Sequence, residues 1–169
     1  NEKVRKGKAI DIGPLVMLDQ ERCILCTRCI RFLEEVTKTG ELGICERGDR
    51  SRITPFPGRR LDNPYSANVV DICPVGALTN KEFRFRSRVW YLDHTPSVCP
   101  TCATGCNIDI HHRGDQIFRF RPRYNEAVNG YWMCDEGRLS WRRYQGEGRL
   151  LKPVLRTDGG WKESHWNDA

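Results

Sequence analysis

The 169-residue chain has no apolar run approaching the ~20 residues that cross a bilayer, which argues against a membrane-spanning helix. Between Asn1 and Lys8 it is basic and polar with no apolar stretch behind, so a secretory leader is not expected there and a reducing compartment is. No Walker loop, no G-x-G-x-x-G and no Ser-His-Asp arrangement is visible, which removes the usual nucleotide-binding and acyl-transfer chemistries. Histidine is scarce at four residues and hydrophobic content is only 38%, so one large core is no more expected than two small modules built on something other than apolar bulk.

Cysteine, in contrast, is abundant. Eight of the nine fall into two quartets, Cys23/Cys26/Cys29 with Cys73 and Cys99/Cys102/Cys106 with Cys134. Each is three closely spaced thiols and one remote partner, the layout needed when one tight loop can reach three corners of a cubane and the fourth must come from elsewhere. Structural zinc sites more often pair two separated C-x2-C knuckles or mix Cys with His, and neither quartet does so. A disulfide framework fits less well, since the count is odd and the chain is too long and too charged to need stapling. The residues therefore point to two 4Fe-4S clusters, with Cys45 left over as a buried free thiol.

The formal charge of +6 would suit nucleic acid, and Arg84-Phe85-Arg86 and Arg119-Phe120-Arg121 interleave arginine with aromatics. Two clusters ligated by four thiolates would each bring about −2, reducing the balance to roughly +2. The arginines then offset cluster charge, and nucleic acid is not expected as a partner.

The organisation reads as α+β. Asp19 leads into the first cysteine loop, after which Ile30, Leu33 and Val36 recur at helical spacing with Gly40 as a stop. Residues 42–45 and 50–53 flank Gly48-Asp49 as a hairpin. Asn63-Pro64 opens a short helix running through Asp71 to deliver Cys73. The alternation from Phe83 to Trp90 suggests a strand. The run Asp93 to Ser97, with its Thr-Pro-Ser, suggests a break between independent modules. Residues 107–112 and 116–121 bracket Arg113-Gly114-Asp115 as a second hairpin, and Cys134 precedes a helix ending near Tyr144. The division expected is 1–18 as a connection from an upstream domain, 19–95 and 96–149 as the two modules, and 150–169 as the start of a further domain. The adjacent His111 and His112 should face opposite ways on a strand, His94 is expected in solvent or as a cap, and Trp90, Trp132 and Trp141 are expected in the core.

The first quartet, followed by Cys73-Pro74-Val75-Gly76-Ala77-Leu78, resembles a bacterial ferredoxin that has lost one of its two clusters, Leu33 standing where the other cluster's cysteine would be. The second, C-x2-C-x3-C with 27 residues to Cys134 and then Asp135-Glu136-Gly137-Arg138, is similar to the 4Fe-4S domain that opens molybdopterin oxidoreductases, together with Asn125 and Asn129. Molybdenum members usually carry lysine where this chain has Glu136, so no molybdopterin is expected. Both modules in this order, with Gly13-Pro14-Leu15-Val16-Met17-Leu18-Asp19 and Glu46-Arg47-Gly48-Asp49-Arg50-Ser51, resemble the large iron-sulfur subunit of bacterial respiratory NADH:quinone oxidoreductase, complex I.

That resemblance implies electron transfer from flavin toward quinone through the first cluster, with the second off that path in a structural role. It implies a 2Fe-2S and a further 4Fe-4S cluster upstream. The implied partners are the flavin-bearing and quinone-side iron-sulfur subunits, with no direct membrane insertion, and the implied location is the peripheral arm on the cytoplasmic face of the inner membrane. The alternative is the iron-sulfur arm of an NAD-linked formate dehydrogenase or hydrogenase, which would gain from a second ferredoxin-type quartet and from lysine at position 136. A third reading, a zinc-stabilised interaction module, would make a colourless protein.

Overall fold

The computed structural model describes residues 4–146, 148–149 and 151–167. In chain order the elements are β1 Ile10–Asp11, β2 Val16–Leu18, α1 Arg28–Glu35, β3 Leu42–Cys45, β4 Arg52–Pro55, α2 Asn68–Ile72 and β5 Leu78–Asn80. After these come β6 Asp93–Val98, β7 Asn107–Arg113, β8 Gln116–Pro122, α3 Asp135–Leu139, β9 Val154–Thr157 and β10 Gly160–Glu163. The mixture is α+β, with the helices short and no helix among the described residues long and apolar enough to cross a membrane.

The first module sets a small antiparallel sheet, order β1-β2-β5, and the hairpin β3–β4 around α1 and α2. Its core joins Val16 and Leu18 of β2, Phe32 and Leu33 of α1, Val69 of α2 and Leu78 of β5. The backbone crosses itself closely at Gly13, where a Cβ would stand 2.0 Å from the Leu61 carbonyl oxygen, so only glycine fits under the Leu61 N–H to Ile12 carbonyl bond. Ile30 and Leu33 are buried as their spacing indicated. Val36 instead lies at the helix end 44% exposed, and Phe32 takes its place in the core.

The second module is the antiparallel sheet β6-β7-β8 closed by α3 and a 3-10 turn over Ser140–Tyr144. Ile108, Phe120, Met133 and Trp141 form its core beside Cys99. The β9–β10 hairpin beyond it is almost wholly exposed.

Several expectations need correction. Residues 83–90 form turns leading into a 3-10 turn at Val89–Tyr91, because the arginines there lie over aromatic faces rather than alternating across a sheet: Arg84 over Phe85, Arg86 over Trp141 and Arg88 over Trp90. The expected break at Asp93 to Ser97 is strand β6; Pro96 is tolerated because β6 is an edge strand with one side unpaired. The helix expected from Asn63 starts only at Asn68. The Asn63 carboxamide oxygen accepts the Tyr65 N–H at 2.9 Å and the Asn63 carbonyl accepts the Ser66 N–H, so the first residues form turns. Trp90 is 74% exposed, whereas Trp132 tilts against Phe32 and Trp141 is buried. Cys45 is exposed at the end of β3, not buried.

The two modules are packed together through polar contacts. Asp71 of α2 accepts from Arg138 of α3 at 2.7 Å and from Arg121 of β8 at 3.0 Å. The Asp135 N–H donates to the Pro64 carbonyl at 2.7 Å. Independence across the boundary is thus not what the packing displays.

Candidate metal centres

The loop bearing Cys23, Cys26 and Cys29 turns twice through left-handed backbone, at Leu25 (φ 54°) and Thr27 (φ 62°), conformations that cost a β-carbon-bearing residue energy and are held here by the surrounding structure. The effect is to turn amides inward: the N–H of Leu25 is directed to Cys23 and that of Ile30 to Cys29. Cys73 arrives from α2 in extended backbone ahead of Pro74, and Gly76 (φ 61°) carries the chain away into β5. All four thiols line one cavity of about 350 Å³, open mouth included, whose remaining wall includes Leu18, Ile53 and Ala77.

Burial pushes the Cys29 thiol up to about 11. The Ile30 amide opposes this, and the neighbouring Cys23, Cys73 and Cys26 add to it. Cys23 is also raised, chiefly by burial. Thiols such as Cys23 and Cys29, whose ionisation is opposed by burial and by the neighbouring sulfurs, form with Cys26 and Cys73 a donor set suited to a positively charged core, since bound metal reverses the balance.

Cys99, Cys102 and Cys106 sit between β6 and β7, where the Cys99 N–H donates to the Cys106 carbonyl at 2.8 Å and Gly105 (φ 61°) makes the turn. Cys134 comes from the start of α3, and its sulfur accepts the Gly137 N–H at 3.3 Å. Burial raises Cys106, with Cys99, Cys134 and Cys102 contributing. Exposed Cys102 is lowered instead, first by the Thr104 hydroxyl and then by the Thr104 amide. The Gly105 amide is directed to Cys102 as well. A Cβ on Gly137 would stand 3.0 Å from Cys99 Sγ and 3.4 Å from Cys134 Sγ, so this helix is glycine where it meets two sulfurs. Among the described residues, no three Cys, His, Asp or Glu side chains close on a single metal ion; a cubane, which takes one sulfur at each of four separate irons, needs a wider ring of donors.

The structure brings each expected quartet into one neighbourhood and leaves Cys45 outside both. His111 is buried and stacked on His94 at 3.9 Å, and its Nδ1 accepts from Arg119 Nε at 3.2 Å. His112 lies beside Thr95 and the Gly114 carbonyl. None of these contacts is with a cysteine. Sequence reasoning missed Asn68, Asp71, Asp135 and Arg138, buried or half-buried beside Cys73 and Cys134. The available signal was their proximity to the two closing cysteines, together with polar residue types at positions that the helices bury.

Fold and sites define a tandem of two small iron-sulfur domains. Residues 13–79 match the family described as NADH-quinone oxidoreductase subunit 3, ferredoxin-like domain, and residues 92–146 match the molybdopterin oxidoreductase Fe4S4 domain. The chain is 40% identical over 171 aligned positions to an NADH-quinone oxidoreductase subunit of Rickettsia conorii, covering 100% of this chain and 25% of that protein. It is 41% identical to the mitochondrial NADH dehydrogenase [ubiquinone] iron-sulfur protein 1 of Solanum tuberosum, covering 94% of this chain and 22% of that protein. Against NADH-quinone oxidoreductase subunit 3 of Thermus thermophilus the identity is 39%, covering 94% and 20%. Over its whole length the chain is thus similar to subunits of NADH-quinone oxidoreductases, with a ferredoxin-like domain followed by an Fe4S4 domain, and it spans 20 to 25% of the length of these relatives.

Proposed function

We propose that this chain holds two 4Fe-4S clusters and carries electrons through the peripheral arm of an NADH:quinone oxidoreductase by way of the first, the second lying off that path. Cys23, Cys26, Cys29 and Cys73 would hold the first and Cys99, Cys102, Cys106 and Cys134 the second. The observation that supports this most is the gathering of each three-plus-one quartet in a domain that matches an iron-sulfur family. Bound there, a 4Fe-4S cluster supplies reversible one-electron transfer. The chain's own part is to aim amides of Leu25, Ile30, Thr104 and Gly137 at the sulfurs and to wall off water with Leu18, Ile53 and Ala77. Those amides favour the more negative, reduced state.

In the same reading, the neighbours are the flavin-bearing and quinone-side iron-sulfur subunits, on the cytoplasmic face of the inner membrane. A 2Fe-2S and another 4Fe-4S cluster belong to upstream sequence. No molybdopterin is used downstream: Glu136, where lysine would be expected for a molybdenum enzyme, is exposed and faces Arg143 at 3.4 Å.

Anaerobic purification of the full-length protein tests the assignment. About eight irons and eight sulfides are expected in the 4Fe-4S sites of this segment, with broad absorption near 400 nm and EPR signals on reduction, one of them reducible by NADH in the assembled enzyme. Variants Cys26→Ala and Cys102→Ala should each remove about half of that iron. A colourless segment holding zinc, or molybdopterin recovered with the native protein, would overturn it.

A further inference from the structure

We propose that Asp135 and Asn68 are positioning residues acting across the module boundary, each fixing the segment that carries the closing cysteine of the other module's quartet. This rests on the cluster assignment above and adds that the two sites are mechanically interlocked.

Helix α2 ends directly on Cys73. At five residues it is far below the length at which a helix is stable by itself, and its own N-cap residue, Ala67, offers no side-chain cap. The cap comes instead from the second module. The Asp135 carboxylate accepts the Ala67 N–H at 3.0 Å and the Ser66 hydroxyl at 2.7 Å, and Ser66 is fully buried. A carboxylate at this end also faces the positive end of the helix dipole. Asp135 follows Cys134 directly, so the residue that opens α3 also closes the start of α2.

The reciprocal contact is made by Asn68, fully buried on α2. Its Nδ2 donates to the Met133 carbonyl at 2.9 Å and its Oδ1 accepts the Met133 N–H at 3.3 Å, so one carboxamide satisfies both backbone groups of the residue before Cys134. The same Oδ1 accepts from Arg138 at 3.1 Å, and Arg138 reaches on to Asp71, two residues before Cys73. Every one of these bonds lies within five residues of Cys73 on one side and four of Cys134 on the other, apart from the Ala67 and Ser66 donors at the start of α2. Buried partners left without their bond pay the full desolvation cost, so these contacts hold the two cysteine segments in one register.

The test uses the full-length protein with its two reduced-state EPR signals assigned beforehand by Cys26→Ala and Cys102→Ala. Asp135→Ala is expected to release iron from the first site to a chelator about five-fold faster, the factor that loss of one helix cap produces in a local opening equilibrium. Asp135→Asn keeps an acceptor oxygen and should restore the native rate. Asn68→Ala should weaken or broaden the second site's signal. If Asp135→Ala does not accumulate, Arg138→Met, also in the second module, should speed iron release from the first site. Substitutions that disturb only the site of their own module, or no rescue by Asp135→Asn, would overturn the interlock. Absence of both signals from the unsubstituted protein would instead remove the iron-sulfur reading, and this proposal with it.

Discussion

Gly137→Ala pits two effects of known size against each other. Gly137 lies inside α3 with helical backbone, so alanine should favour the helix by about 1 kcal/mol. Against that, the added methyl would meet Cys99 Sγ at 3.0 Å and Cys134 Sγ at 3.4 Å, with the Met133 methyl at 3.5 Å. Comfortable contact needs roughly 3.5 to 4 Å, so the nearer sulfur must retreat by about 0.5 Å or more. Overpacking of this kind costs about 1–3 kcal/mol. In the metal-free chain, Cys99 can rotate away and the two effects nearly cancel, leaving stability little changed. With all four sulfurs tied to one cluster the retreat is barred, and a displacement of this size is at the tolerance of a preorganised site. Gly137→Ala should therefore fold normally while losing most iron from the second site, read by iron analysis and by the second site's EPR signal. Gly114→Ala, at φ 55° in the β7–β8 turn, serves as the contrast: it should lose about 1–2 kcal/mol in denaturation and keep its iron. Full iron with an unaltered spectrum in Gly137→Ala would refute the close approach of α3 to the sulfurs.

Three further outcomes are expected. Cys45 is exposed and apart from both quartets, so Cys45→Ser should keep the full iron and sulfide content, and alkylation of the holoprotein should label Cys45 before any other cysteine; loss of a whole cluster would contradict this. Burial, then Arg119 and His94, push buried His111 down to about 3, so the unfolded chain binds a proton that the folded one refuses and stability falls as pH drops from about 6.5 toward 3. The loss should reach about 2 kcal/mol by pH 5 and be absent in His111→Phe, and equal pH slopes for the two in denaturant titrations would rule it out. Glu136→Lys should raise the second cluster's potential by only roughly 10–40 mV, because the Glu136–Arg143 pair is exposed and solvent screens it; a downward shift in a redox titration would contradict the sign.

Much of the candidate site was legible because its thiols are patterned in the residue string: three within one loop and a fourth before Pro74 or at the start of α3 indicate what comes together. Both hairpins were legible from their turn residues, Gly48-Asp49 and Arg113-Gly114-Asp115. What was not legible depended on partners remote in sequence. The arginines of residues 83–90 alternate with aromatics as a strand would, yet Phe83 is covered by Arg119 at 4.0 Å and Arg86 seeks Trp141. Pro96 looked like a breaker because edge position is a property of the sheet, not of the residue. Asp135 and Asn68 carry ordinary polar side chains, and only the packing of one module on the other gives them their role.

The distribution of charge along α1 has its own consequence. Arg28 and Arg31 occupy its amino-terminal half and Glu34 and Glu35 its carboxyl end, with no acidic residue in the first turn, no basic one in the last and no side-chain cap at Thr27. Each of these is the wrong sign for the helix dipole, at about 0.3–1 kcal/mol apiece, in a helix of eight residues that is marginal even with favourable ends. On the proposed ligation, the ligated sulfurs would supply the missing counter-charge, since Cys29 lies in the first turn with the Ile30 amide directed to it. In an emptied site, α1 keeps its packed face of Phe32 and Leu33 but lacks the anion its amino-terminal end is built to meet. On the proposed ligation, filling the first quartet would supply that anion and so favour order at the start of α1.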